Sequence, residues 1–253
     1  MNIEHPTYPN PTIQEALCEI HFCLPDGVAW KPSLFGKLFK HIQPDFPEME
    51  PVMQIGVEFL VGPDKIGQTL LPPRQRMRYK HASRNLLLQL SENIFTVNLL
   101  PQYPGWEQMS RDVLEAWKRA GEIIEPAGIT RIGLRYINRI ERTRPDEPPG
   151  DWLAASDYIP TSALETLPGF LSRLEVRPDP HSRLIVTLGE SRSEADQMPN
   201  AIVFDIDCIV EKATSITDAA ITAEITQLHE IAWTIFAASK TPRLEQWLHG
   251  GEK

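Results

Sequence analysis

The sequence predicts an α+β fold. Two similar halves, each reading strand, helix, several strands, helix, together form antiparallel sheet with helices on one face. Three observations predict it. Apolar residues recur at alternate positions along 16–24, 132–140 and 202–208, the period of a half-buried strand. Apolar stripes at helical spacing run through Trp106, Met109, Val113, Trp117 and Ala120, and again through Ile221, Ile225, Leu228, Ala232 and Ile235. The order of elements begins again at Ile129.

The first half, 11–128, follows a polar arm, 1–10, that carries Pro6 and Pro9. Ala16, Cys18, Ile20, Phe22 and Leu24 line one face of a strand that Pro25-Asp26-Gly27 breaks. Trp30-Lys31-Pro32 opens a helix, where a proline is tolerated in the first turn, and Leu34, Leu38 and Ile42 form its stripe beside Phe35 and Phe39. The stretch from Pro44 to Pro51 ends it. Strands are expected over 52–61 and 75–81, and a hairpin over 86–100 turning at Ser91-Glu92-Asn93. Tyr103-Pro104-Gly105 leads into the next helix, and Gly121 is a natural stop for it.

The second half, 129–253, opens with a strand whose Ile132, Leu134, Tyr136 and Ile140 share a face. A Pro-rich connection over 145–150 follows, then a short helical stretch around 162–171 that Pro168-Gly169 weakens. Strands are expected near 173–177, 183–189 and 201–210, with an exposed polar loop over 189–200. A long helix near 218–239 closes the half. Trp106 and Trp117 belong to an apolar stripe; Trp152 and Tyr158, beside the Pro-rich connection, are better candidates for exposed contacts, although an edge packing onto the domain is the simpler expectation.

The halves repeat a pattern and not a sequence. Pairing two such units covers edge strands that one unit would leave open. The doubled order resembles the topology of TATA-binding-protein-like folds, a likeness of fold that implies no function.

Of the 253 residues, 42% are hydrophobic and 23% charged, an ordinary globular mixture. No apolar run reaches the ~18 residues of a membrane helix. The start of the chain lacks the basic and then apolar regions of a signal peptide. Cys18, Cys23 and Cys208 are too few and too irregular for a disulfide framework or a zinc site, so a cytoplasmic protein is expected. A net charge of −9 argues against general affinity for nucleic acid, which depends on neutralising phosphates.

Locally the balance reverses. Arg74, Arg76, Arg78 and Lys80 stand at alternate positions of one expected strand, and Arg131, Arg135 and Arg139 lie opposite the apolar face of another. Like charges ~7 Å apart along a strand repel unless something acidic lies beside them. Two readings stay open: Asp205 and Asp207, on the polar face of their own strand, neutralise the rows, or the rows form a basic surface for RNA, DNA, a nucleotide or an acidic protein. The same two aspartates are a weak candidate for holding Mg²⁺. His21 and His229 lack an identified partner. No Gly-x-Ser-x-Gly, no His-Glu-x-x-His and no phosphate-cradling loop occurs, so no cofactor is expected and no catalytic residue is identified.

Several stretches carry a resemblance: Pro11 to Phe22, Gln102-Tyr103-Pro104-Gly105-Trp106-Glu107, Arg131 to Ile140, Asp205-Ile206-Asp207 and Leu228-His229. In these the chain resembles a sporadically distributed bacterial family of proteins about this long without a settled function. The resemblance implies a bacterial protein, from a mobile or defence-associated gene neighbourhood, and assigns no catalytic residue.

The leading expectation is a non-catalytic accessory or regulatory protein that binds a protein partner, one encoded nearby, in a defence or toxin-like system. The second is a nucleic-acid or nucleotide binder using the two basic rows. The third is a metal-dependent enzyme at Asp205 and Asp207. No membrane partner is expected.

Overall fold

The computed structural model describes residues 5–54, 57–61, 66–70, 74–144, 146–165, 170–191 and 201–251; of 54, 57–61, 66–70 and 74 it describes the backbone only. In chain order the elements are β1 (Ile13–Cys23), α1 (Ser33–Ile42), β2 (Glu48–Gln54), β3 (Val57–Val61), β4 (Ile66–Leu70), β5 (Arg74–Lys80), β6 (Leu86–Leu90), β7 (Ile94–Leu99) and α2 (Trp106–Ile124). Then follow β8 (Gly128–Glu141), a 3-10 turn (Pro149–Asp151), α3 (Thr161–Leu164), β9 (Leu171–Asp179), β10 (Ser182–Ser191), β11 (Ala201–Val210), α4 (Asp218–Ala238) and α5 (Pro242–Leu248). The fold is α+β. No helix among the described residues is long and apolar enough to cross a membrane.

Nine strands form one sheet in the order β2-β5-β6-β7-β1-β8-β11-β10-β9, and β3 pairs with β4 in a separate ribbon. Every pairing is antiparallel. β1 and β8 meet at the centre, where Ile20 stands opposite Ile132, Cys18 opposite Leu134 and Ala16 opposite Tyr136. The register is dictated by the alternation, because a slip of one residue would turn these apolar side chains away from the core. All six are buried, as are Phe204, Ile206 and Cys208 on the neighbouring β11. α4 lies on β8 and β11, α2 on β7, and α1 against α2, so the core sits on one side of the sheet.

Local chemistry accounts for the helix ends. Gly105 precedes α2 at φ +96°, a conformation side chains rarely adopt, which explains why Pro-Gly introduces this helix. Gly121 does not stop it: the helix continues to Ile124, itself buried, and turns at Glu125 with φ +52°. One more turn places an apolar anchor in the core, and that outweighs the helix cost of glycine. Thr217 caps α4 and Thr241 caps α5, each hydroxyl accepting from the backbone N–H three residues on.

Two expectations are corrected, and Trp152 takes the simpler of its two readings, packed into the domain. The strand expected over 52–61 is two: β2 starts earlier, at Glu48, and ends at Gln54, and β3 belongs to the separate ribbon. Trp152 is fully buried; its Nε1 donates to Glu147 and the Arg243 guanidinium of α5 lies 4.3 Å from its ring centre. The helix expected around 162–171 is the single turn α3, and Leu171 already begins β9. The rest of that stretch, 166–169, and most of the polar loop, 192–200, lie outside the described residues.

Candidate binding face

The face of the sheet away from the helices is polar, and its charges stand in columns of alternating sign. Glu48 and Glu50 of β2 lie beside Lys80 and Arg78 of β5. Past the neutral Gln89 and Thr96, β1 contributes Glu15 and Glu19, and β8 contributes Arg131, Arg135 and Arg139. Asp205 and Asp207 of β11 come next. Strands stand about 4.8 Å apart, so in a flat sheet β2 would lie about 19 Å from β1. Yet Val52 and Met53 of β2 line one cleft, about 390 Å³, together with Leu17 of β1 and Ile137 of β8. The sheet therefore curls, and its polar face is concave.

Glu19 is the hub of the first half of this face. It accepts from Arg76 Nη2 at 3.2 Å, lies 2.7 Å from His21 Nε2, and has Arg131 Nη2 at 3.8 Å. Burial opposes its ionisation, but the His21 hydrogen bond and the neighbouring charges, Arg131 and Arg76 among them, prevail and hold its carboxyl down at about 2. Arg76 is 7% exposed and so deeply set that it also reaches Thr96 on β7. Arg78 donates to Glu50 at 3.1 Å, and Lys80 lies 3.3 Å from Glu50 and 3.7 Å from Glu48.

The second half repeats the arrangement with other residues. Arg135 Nε and Nη2 donate to the two carboxylate oxygens of Asp205 at 2.8 and 2.6 Å. This two-point bond raises the guanidinium's pKa further and fixes its plane. Asp207 stands directly opposite Arg135 in the ladder, and burial pushes its carboxyl up to about 6 against the pull of that arginine. Arg139 donates to Ser191 at 3.0 Å and lies 3.8 Å from Glu141.

The candidate residues thus fall on one face, but in two separate columns with β6, β7 and β1 between them. Asp205 meets Arg135; the β5 row is neutralised from β2 and β1 instead, too far from Asp205 and Asp207 for contact. Arg74 opens β5 opposite Gln54, and its side chain lies outside the described residues. Among the described residues no cluster of three or more His, Cys, Asp or Glu is placed to hold a metal ion. Gln89 donates to Asn98 at 2.9 Å and Asn98 to Glu15, so the cleft walls form a connected polar network. Chemically the face offers arginines, carboxylates and amides held in place by these contacts.

A second cluster lies on the helix side of the sheet. His229 stacks on Trp106 at 4.1 Å and 8°, with its Nδ1 2.9 Å from the Tyr136 hydroxyl. Tyr103 meets Tyr136 edge-on at 6.1 Å, and His5 of the arm closes over His229 at 4.7 Å. Burial, with His5 nearby, pushes the His229 imidazole down to about 3, so it is neutral. Periodicity gave no hint of this cluster. The available signal was that Tyr103, Trp106, Tyr136 and His229 all come from stretches carrying the family resemblance, yet converge from three separate places in the chain.

No protein-family model matches the chain, and no curated protein matches it.

Proposed function

We propose that this is a non-catalytic binding protein whose concave sheet face docks a protein partner, as an accessory or regulatory subunit. The observation that carries the reading is the alternation of charge across that face. Nucleic acid would meet carboxylates wherever it met arginines, and its affinity rests on uncompensated cations. A folded protein can present the complementary pattern, which favours the right partner and penalises wrong ones. The setting in a bacterial defence or toxin-like system rests on the sequence resemblance alone.

We also propose that the halves are a duplicated unit with TATA-binding-protein-like topology. What supports this is the strand order: each half puts its first strand at the centre of the sheet, its last strand next to that one and its second (β2 or β9) at the edge.

The test is affinity capture of the tagged protein under nuclease treatment, wild type beside Arg78→Glu/Lys80→Glu on the concave face and Lys118→Glu on the exposed side of α2. Loss of one stoichiometric protein from the concave-face variant alone supports the reading. Capture unchanged in that variant refutes it.

A further inference from the structure

We propose that β9 is a self-association edge, where a second copy of this chain pairs antiparallel with β9 and continues the sheet across a two-fold axis. The inference is independent of the concave face.

The sheet has two edges, and they differ. β2 carries Pro51 at its centre, a residue with no N–H to donate, and proline is a common device against edge pairing. β9 is free of proline from Leu171 to Arg177, and among the described elements only β10 pairs with it. Among the described residues its outer edge is therefore an unpaired run of backbone donors and acceptors.

The side chains of β9 are also less covered than those of its neighbours. Leu174 and Val176 stand opposite Val186 and Leu184, on the core side of the sheet. Val186 and Leu184 are buried, whereas Leu174 and Val176 are only half-buried, because α4 covers β8 and β11. A further strand beside β9 would cover Leu174 and Val176. Leu171, on the other face with Arg173, is 76% exposed.

Charge selects the occupant. Arg173, Glu175 and Arg177 alternate along the polar face of β9, all exposed. Within the chain Glu175 lies 3.6 Å from Arg173 and 3.5 Å from Arg183, and Arg177 3.6 Å from Glu211, exposed pairs that contribute little and leave room for a second partner. Two copies paired about Leu174 set each Arg173 opposite the partner's Glu175, twice, with Leu174 against Leu174 and Ser172 against Val176. That register uses 171–177 and stops short of Pro178. Shifting the axis by one residue to Glu175 sets Glu175 against Glu175 and Arg173 against Arg177, four like charges in line. Opposite charges directly across a ladder stabilise it and like charges oppose it, so the strand favours its own copy in the register centred on Leu174.

The experiment is sedimentation equilibrium of the full chain over a concentration series, for wild type, Glu175→Arg and Arg173→Glu/Glu175→Arg, each checked for unchanged circular dichroism. Wild type is expected to dimerise, Glu175→Arg to dimerise about tenfold more weakly, and the double swap to return to near wild type. A wild type that stays monomeric at the highest concentration overturns the proposal. So does a dimer indifferent to Glu175→Arg, or one that the double swap fails to restore.

Discussion

Arg135 passes over Asp207, its direct opposite in the β8–β11 ladder, and binds the diagonal Asp205 through two hydrogen bonds. Two carboxylates on one strand face are thereby made unequal. One is the fixed partner of an arginine. The other is enclosed by the face and held near the edge of ionisation at about 6.

The two aspartates should therefore respond oppositely to replacement. Asp205→Asn removes the two-point acceptor and should cost about 1–3 kcal/mol at pH 7, since the Arg135 side chain keeps partial access to water. For Asp207 the folded pKa lies above the usual 3.8, so the folded state holds its proton more tightly and stability falls as pH rises from 3.8 to 6. Above pH 6 the penalty is complete, and Asp207→Asn should stabilise by about 1–2 kcal/mol. Urea unfolding at pH 5 and pH 8 separates the two.

Glu19 gives the opposite sign. Its folded pKa of about 2 lies below the usual 4.5, so its stabilisation is present above 4.5 and is lost as pH falls toward 2. Glu19→Gln should cost about 2–4 kcal/mol at pH 7, because Arg76 is left buried without its carboxylate. In a chain of this size that lowers Tm by about 4–15 °C. The variant should also be less sensitive to acid below pH 4.5 than wild type, which thermal melts across that range would reveal.

His229 predicts a loss that begins in a higher pH range. Held at about 3 when folded against 6.5 when free, it binds its proton more readily in the unfolded chain, so stability declines as pH falls below 6.5. Tyr136→Phe, which removes the hydroxyl 2.9 Å from His229 Nδ1, should cost about 1–2 kcal/mol. His229→Phe should flatten the pH dependence between 6.5 and 4.5. Melts of both variants against wild type check this.

Much of the fold was legible in the sequence, and particular residues show why the rest was not. Alternation located β1, β8 and β11 because each has one face on the core and one on polar surroundings. β2 was read too late because Glu48 and Glu50 look like loop residues until Lys80 and Arg78 stand opposite them. The short α5 carried readable signals, Thr241 as cap, Pro242 at the first position and Leu244 and Leu248 one turn apart, but followed a helix expected to close the chain. Of the candidate site, the sequence placed both basic rows on strand faces, since period two needs no partner. It offered Asp205 and Asp207 as the neutralising carboxylates for both rows, which holds for Arg135 and not for the β5 row, because strand order is a property of the whole sheet. Glu19 was passed over for that reason: a lone glutamate on β1 becomes a hub only when β5 and β8 bring Arg76 and Arg131 to it.

The central claim is that the concave face compensates its own charge and so does not serve nucleic acid. The most direct measurement is fluorescence anisotropy of labelled single- and double-stranded DNA and RNA oligonucleotides, titrated with the protein at low salt and again at physiological salt. The account predicts no saturable binding at physiological salt, and no difference between wild type and Arg78→Glu/Lys80→Glu. Saturable binding that weakens steeply with salt and disappears in that variant would contradict it.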